Sequence, residues 1–235
     1  MSENIKKITK AFVVDLDSSK NQSILKPNTR PFNNQAHQVN EVDKKIAEKI
    51  YKLIKDAKHS NDGIILNHNK IKEAFFSPFK PQLKDAQVFL SHSHADKNKA
   101  LKVKNYLESE TNRRVFTDSL FWDYKDNIMK EMSKYDNTSK IEDAFTLILR
   151  ESLQDMIEKC PYFVFLKSKN SVSDQGLSHT TYSAWIYEEL KIAHSIRESR
   201  PTPMMESWQA FHDISPFLEN LETITLKELS QQINS

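Results

Sequence analysis

Tyr162-Phe-Val-Phe-Leu166 is a run of five apolar residues with no alternating polar position. A strand of this kind has no face to offer water, so it belongs in the middle of a parallel sheet covered on both sides. Parallel strands need long crossovers, usually helical, and the residues around the run supply them. Gln87-Val-Phe-Leu90 and Arg114-Val-Phe-Thr117 read as two further short strands. Between them Ala100, Val103, Tyr106 and Leu107 line one face of a helix over about 96–110. A helix is expected around 126–134. A longer one, over about 140–159, carries Ile141, Phe145, Ile148, Leu149, Leu153, Met156 and Ile157. A polar loop over 167–182 leads into a last helix that starts near Ser183. This alternation predicts an α/β fold: an open, mostly parallel sheet with helices on both faces and right-handed crossovers.

The first 84 residues read differently. Ala11-Phe-Val-Val-Asp-Leu16 has the composition of a short strand, and the polar, Pro- and Asn-rich stretch 18–36 reads as a loop. Val39, Val42, Ile46, Ile50, Leu53 and Ile54 recur at three- and four-residue spacing, the pattern of an amphipathic helix. Pro78 and Pro81 interrupt the chain, and a boundary is expected near 82–85. The expected organisation is an N-terminal extension over 1–84, an α/β domain over 85–200, and a segment 201–235 that completes or packs on the domain.

Composition removes several function classes. The chain has 2 glycines in 235 residues, where average usage of roughly 7% gives about 16. No G-x-G-x-x-G and no Walker-type loop exists, so a glycine-rich phosphate cradle is excluded. The 34 basic and 32 acidic residues nearly cancel, to +2, which argues against a dedicated nucleic-acid binder. Cys160 stands alone, so neither an intrachain disulfide nor a cysteine zinc cage can form. No apolar run approaches a membrane span, and the opening Met1-Ser-Glu-Asn-Ile-Lys-Lys lacks the apolar core of a signal peptide. A cytoplasmic location without membrane contact is the expectation.

In an open α/β sheet, ligands bind outside the carboxyl ends of the strands. Three segments are expected there: Ser91–Asp96, Asp118–Tyr124 and Ser168–Tyr182 with the helix start after it. On a helical wheel of Ser183–Arg197, Trp185, Ile186, Leu190, Ile192, Ala193 and Ile196 form one apolar arc. Glu189 falls in the middle of that arc and Glu188 at its polar edge. A carboxylate on an apolar face must find a partner or be driven toward protonation. It either pairs with a nearby cation or amide as a structural group, or it performs chemistry at the ligand edge.

Val88-Phe-Leu-Ser-His-Ser-His-Ala-Asp96 resembles the first strand and following loop of TIR (Toll/interleukin-1 receptor) domains. Val115-Phe-Thr-Asp-Ser119 is similar to their second strand, and Ser183-Ala-Trp-Ile-Tyr-Glu-Glu-Leu190 to their S-x-W-x-x-x-E helix. The resemblance spans roughly 85–200 and leaves 1–84 outside it. It implies a flavodoxin-like fold and, for members with enzyme activity, cleavage of the nicotinamide–ribose bond of NAD⁺ with Glu189 as the catalytic residue. Phe89, Ser91, His92, Asp118, Trp122, Ser183 and Trp185 are then expected around the substrate. NAD⁺ is a substrate in this chemistry and no cofactor is implied. Nicotinamide leaves as a neutral molecule, so no general acid is needed, and a carboxylate steadies the oxocarbenium-like ribose. The product is ADP-ribose or a cyclic ADP-ribose. In bacterial relatives such a product is a messenger for an effector in antiphage defence. The resemblance also implies self-association through TIR surfaces, and some members are interaction modules without turnover.

His92-Ser-His-Ala-Asp96 has a second resemblance, to the H-x-H-x-D-H motif of metallo-β-lactamase-like hydrolases. The position of the last histidine is Lys97, and those folds are rich in glycine, so no metal site is expected. Asp96 is expected to cap the following helix, and Ser183 either caps its own helix or touches substrate. Leu120-Phe-Trp-Asp-Tyr124 places Trp122 on the loop after the second strand, where it stacks on a base, meets a neighbouring subunit or folds over the core.

Overall fold

The structure, a computed structural model, describes residues 10–25, 42–56, 58–60, 63–65, 68–76, 85–119, 129–130, 133, 139–175, 178–198 and 212–235. In chain order the elements are β1 (Lys10–Asp15), α1 (Ser19–Leu25), α2 (Val42–Lys55), β2 (Lys58–Ser60), β3 (Gly63–Ile65) and α3 (His68–Phe76). After these come β4 (Ala86–Ser91), a 3₁₀ turn (His94–Asp96), α4 (Lys97–Thr111), β5 (Arg114–Thr117), α5 (Ser139–Lys159) and β6 (Tyr162–Lys167). The chain then forms β7 (Ser173–Gln175), β8 (Ser178–Thr181), α6 (Ala184–Glu198) and β9 (His212–Asp213). It closes with α7 (Ser215–Leu218), β10 (Glu222–Thr223) and α8 (Leu226–Asn234).

Five strands form an open, all-parallel sheet in the order β10-β1-β6-β4-β5, and the fold is α/β as the strand–helix alternation implies. The run 162–166 occupies the central strand β6, flanked by β1 (Phe12 opposite Val164) and β4 (Phe89 opposite Phe163). Alternate residues of each strand face opposite sides. On one side Phe12, Val14, Val88, Leu90, Val164 and Leu166 pack with Ala100, Val103 and Leu107 of α4 and with Leu226 and Leu229 of α8. On the other side Phe89 stacks between Phe116 and Phe163, with ring centroids 5.9 Å away in both directions. Helix α6 covers this second side, because Glu189 reaches Ser91, which shares a face with Phe89.

With so few glycines, helix endings need another residue. Helix α4 stops at Asn112, whose φ of 52° is left-handed, and its N–H returns to the Glu108 carbonyl. Asparagine is the usual substitute for glycine at this position. Helix α8 opens with a capping box, Thr225 and Glu228 each bonding the other's backbone N–H.

Three expectations are corrected. The boundary near 82–85 does not set the N-terminal residues apart. One compact unit comprises 1–30, 85–119 and 154–235, and the other 31–84 and 120–153. Strand β1 lies between β6 and β10 in the main sheet, because Ala11–Val14 is as continuously apolar as β6 and needs cover on both faces. The stretch 18–36 begins with helix α1, held by Asn21, which donates to the Asp15 carbonyl at 2.7 Å and accepts from the Leu226 N–H at 3.0 Å. The loop 167–182 contains β7 and β8, which join β9 in a small antiparallel sheet. The helix expected around 126–134 lies almost wholly outside the described residues. Strand β10 extends the main sheet beside β1.

In the second unit, α2 packs on α3, with Ile46, Ile50, Ile71, Ala74 and Phe75 buried. Lys72 of α3 pairs with Glu151 of α5 at 3.7 Å. Among the described residues no helix is long and apolar enough to cross a membrane.

Candidate functional site

From β4 the chain crosses to β5 on one side, and then returns through α5 to β6 on the other. In such sheets the usual ligand position lies outside the carboxyl ends of the strands at a reversal of this kind, here those of β4 and β6. Ser91 is the last residue of β4, His92 follows it, and Asp118 follows β5. Helix α6 starts at the same edge. Ser183 caps it, its hydroxyl accepting from the Ile186 N–H at 3.2 Å, as its position predicts. The second turn of α6 then carries Glu189 into the protein interior.

Glu189 is 0% exposed, and so is Ser91, whose hydroxyl donates to Glu189 Oε2 at 2.5 Å. Glu189 Oε1 is enclosed as well, and the Glu189 carboxyl also shares a side-chain hydrogen bond with Asp118. Burial raises the Glu189 carboxyl well above its usual range, and the negative charge of Asp118 beside it pushes in the same direction. The Ser91 hydrogen bond opposes both and is outweighed. Burial and the neighbouring carboxylate thus favour the protonated form of Glu189. No cation is among the groups that set its ionisation, so the structural pairing with Lys or Arg is not what accommodates it.

Asp118 is held from the opposite side by His92. Nε2 of the ring lies 2.8 Å from Asp118 Oδ1, the His92 N–H points at Oδ2 from 3.4 Å, and Nδ1 lies 2.8 Å from the Ser93 carbonyl. Both ring nitrogens thus face acceptors, which suits the doubly protonated imidazolium. Burial works against that charge, but Asp118, the Ser93 carbonyl and Asp96 outweigh it, and the His92 pKa is raised. Ser91, Glu189, Asp118 and His92 form one continuous buried polar cluster at the carboxyl edge of the sheet.

A second cluster closes the same edge. The Asp96 carboxylate accepts from Ser168 Oγ at 2.5 Å and Asn170 Nδ2 at 3.0 Å, and pairs with Lys99 at 3.2 Å. It makes no cap bond to α4, contrary to expectation, and ties the loop after β4 to the loop after β6. Ser168 and Asn170 carry no local signal in the sequence that would mark this. Asp96→Ala is expected to lower the unfolding free energy by about 3 kcal/mol, since hydrogen bonds to a buried charged group are lost together. A urea midpoint shifted to lower concentration at unchanged slope would show it.

The remaining site residues divide. Phe89, expected beside the substrate, is fully buried in the aromatic stack and packs the core. Trp185 is half-buried in the first turn of α6. Glu188, placed at the polar edge of the wheel, is buried at 7% exposure, because the neighbours of α6 cover more than its apolar arc. Trp122 lies outside the described residues. His94 is exposed on the 3₁₀ turn while His92 points inward to Asp118, so the residues of the H-x-H-x-D pattern do not converge. Among the described residues no group of three or more His, Cys, Asp or Glu side chains is arranged to hold a metal.

Compared with family models, with curated proteins and with solved structures, the chain matches none.

Proposed function

We propose that this protein is a TIR-type NAD⁺ glycohydrolase or cyclase in which Glu189 stabilises the cationic ribose. The supporting observation is a single one: a carboxyl group wholly buried beside a second one, Asp118, at the carboxyl edge of a parallel sheet, on the W-x-x-x-E helix. An enclosed acid that must lose its proton to become useful is a typical tuned catalytic group. When NAD⁺ enters, the side chains around Glu189 part and the pyridinium charge favours the carboxylate. The nicotinamide–ribose bond then breaks with its electron pair going to the nicotinamide nitrogen. Water, or a nitrogen of the substrate's own adenine, takes the ribose carbon. The products are nicotinamide with ADP-ribose or with a cyclic isomer, the latter suited to signalling in antiphage defence. Self-association through the loop that carries Trp122 belongs to the same reading.

Incubation with NAD⁺, with chromatography for nicotinamide and mass spectrometry for the second product, tests this directly. The complete enclosure of Glu189 also favours a second reading, a TIR interaction module without turnover. Absence of nicotinamide release at any protein concentration would select it.

Turnover is expected to persist in excess EDTA. Asp118 and the Ser93 carbonyl occupy both His92 nitrogens, while Ser168, Asn170 and Lys99 engage the Asp96 carboxylate. Loss of activity on chelation, restored by a divalent ion, would contradict the carboxylate mechanism.

A further inference from the structure

We infer that His92 is a positioning residue for this reaction: its ring, clamped between Asp118 and the Ser93 carbonyl, fixes the Asp118 carboxylate beside Glu189 and controls the release of the Glu189 proton. The inference rests on the NAD⁺-cleaving reading for its catalytic meaning, but the cluster itself is measurable without substrate.

The geometry carries it. His92 and Asp118 are both buried, their side chains 1% and 4% exposed, and they meet at 2.8 Å. The backbone N–H of His92 faces the other Asp118 oxygen, so a single residue orients the whole carboxylate. The groups that face His92 and Glu189 come from β4, β5 and the segments after them. Ser91 ends β4, Ser93 and Asp96 follow it, and Asp118 follows β5. Only the imidazolium among these adds positive charge. Two carboxylates side by side cannot both ionise without a compensating cation, and His92 is the one placed to compensate. When it is charged, Asp118 is held as the anion and Glu189 retains a proton that it can release to solvent as the site opens. Without it, the paired carboxyls hold their proton more tightly, and the carboxylate form of Glu189 becomes scarcer at neutral pH. One pH unit in that equilibrium changes the ionised fraction about tenfold.

The experiment has two arms on the full chain. In the first, pH-dependent infrared difference spectra are recorded without NAD⁺. A protonated-carboxyl band is expected in the wild type and absent from Glu189→Gln, and in His92→Gln its disappearance moves to higher pH. In the second, kcat/KM for nicotinamide release is followed against pH. The acid limb of His92→Gln is expected to move upward, with activity at pH 6 reduced more than tenfold and the loss shrinking as pH rises. A His92→Gln protein with its band and its limb unmoved overturns the inference, even if its whole profile is lower. If wild type releases no nicotinamide while the band titrates and moves as stated, the functional reading fails and the positioning role of His92 stands. Should His92→Gln not fold, Asp118→Asn serves instead. Its Glu189 band is then expected to disappear at lower pH, because the adjacent negative charge is gone, and an unmoved band overturns the inference.

Discussion

Glu189→Gln is expected to lower nicotinamide release by about 10²–10³-fold, the usual cost of removing a group that stabilises transition-state charge. The fold is expected to survive and to gain stability. Gln is nearly isosteric with the protonated acid, and its amide oxygen can still accept from Ser91. The pH dependence gives the sign. In the unfolded chain Glu189 loses its proton near the ordinary value of 4.5, while in the folded protein burial and Asp118 keep the proton on to much higher pH. Between those limits the folded state binds more protons, so wild-type stability falls as pH rises. His92 behaves alike. Its contribution is fully present below the ordinary 6.5 and is lost as pH climbs through its raised folded value. Glu189→Gln removes the first dependence and keeps the second. Its advantage in melting temperature is therefore expected to widen steadily above pH 5. Thermal scans of both proteins from pH 5 to 9, beside the activity assay, check both halves. Parallel stability curves would mean that Glu189 is not protonated in the folded protein, and wild-type turnover in the variant would remove it from the mechanism.

Phe89→Ala is expected to destabilise the protein by about 3–5 kcal/mol, the range for truncating a buried aromatic ring. Phe89 lies at the centre of the stack, with Phe116 on one side and Phe163 on the other, and is wholly excluded from solvent. Its removal leaves a void bordered by rings on two neighbouring strands. Against a typical stability of about 5–15 kcal/mol, that loss brings the protein close to unfolding at ambient temperature. Denaturant titration measures it. The companion variant Phe89→Leu retains most of the apolar volume and is expected to keep the wild-type KM for NAD⁺. A Phe89→Leu protein of wild-type stability with a strongly raised KM would show instead that the ring lines the substrate pocket.

Much of this was legible in the chain, and the exceptions have causes. The strands at β4, β5 and β6 and the helices at α4 and α5 follow from apolar runs and helical periodicity within single segments. Strand β1 was legible as a strand and not as a partner of β6, because its resemblance to that strand lies in its unbroken apolar character, which says nothing about order in a sheet. The short strands β7, β8 and β9 are polar and pair with one another, so no hydrophobic pattern marks them.

The sequence by itself determined that Glu189 faces the interior, since a helical repeat sets which side chains share a face whatever the helix packs on. It also determined the exclusion of a glycine-rich phosphate cradle. Only the tertiary structure decided what Glu189 meets there. The Glu189–Ser91 contact spans 98 residues, and Asp118 stands 26 residues from the His92 that holds it. Contacts of that length depend on strand order, and a polar residue carries no local mark of the partner that crossovers will bring beside it. The raised pKa values of Glu189 and His92 and the clasp at Asp96 all belong to that second level. Each is set by burial and by neighbours from other elements, which exist only once the sheet has formed.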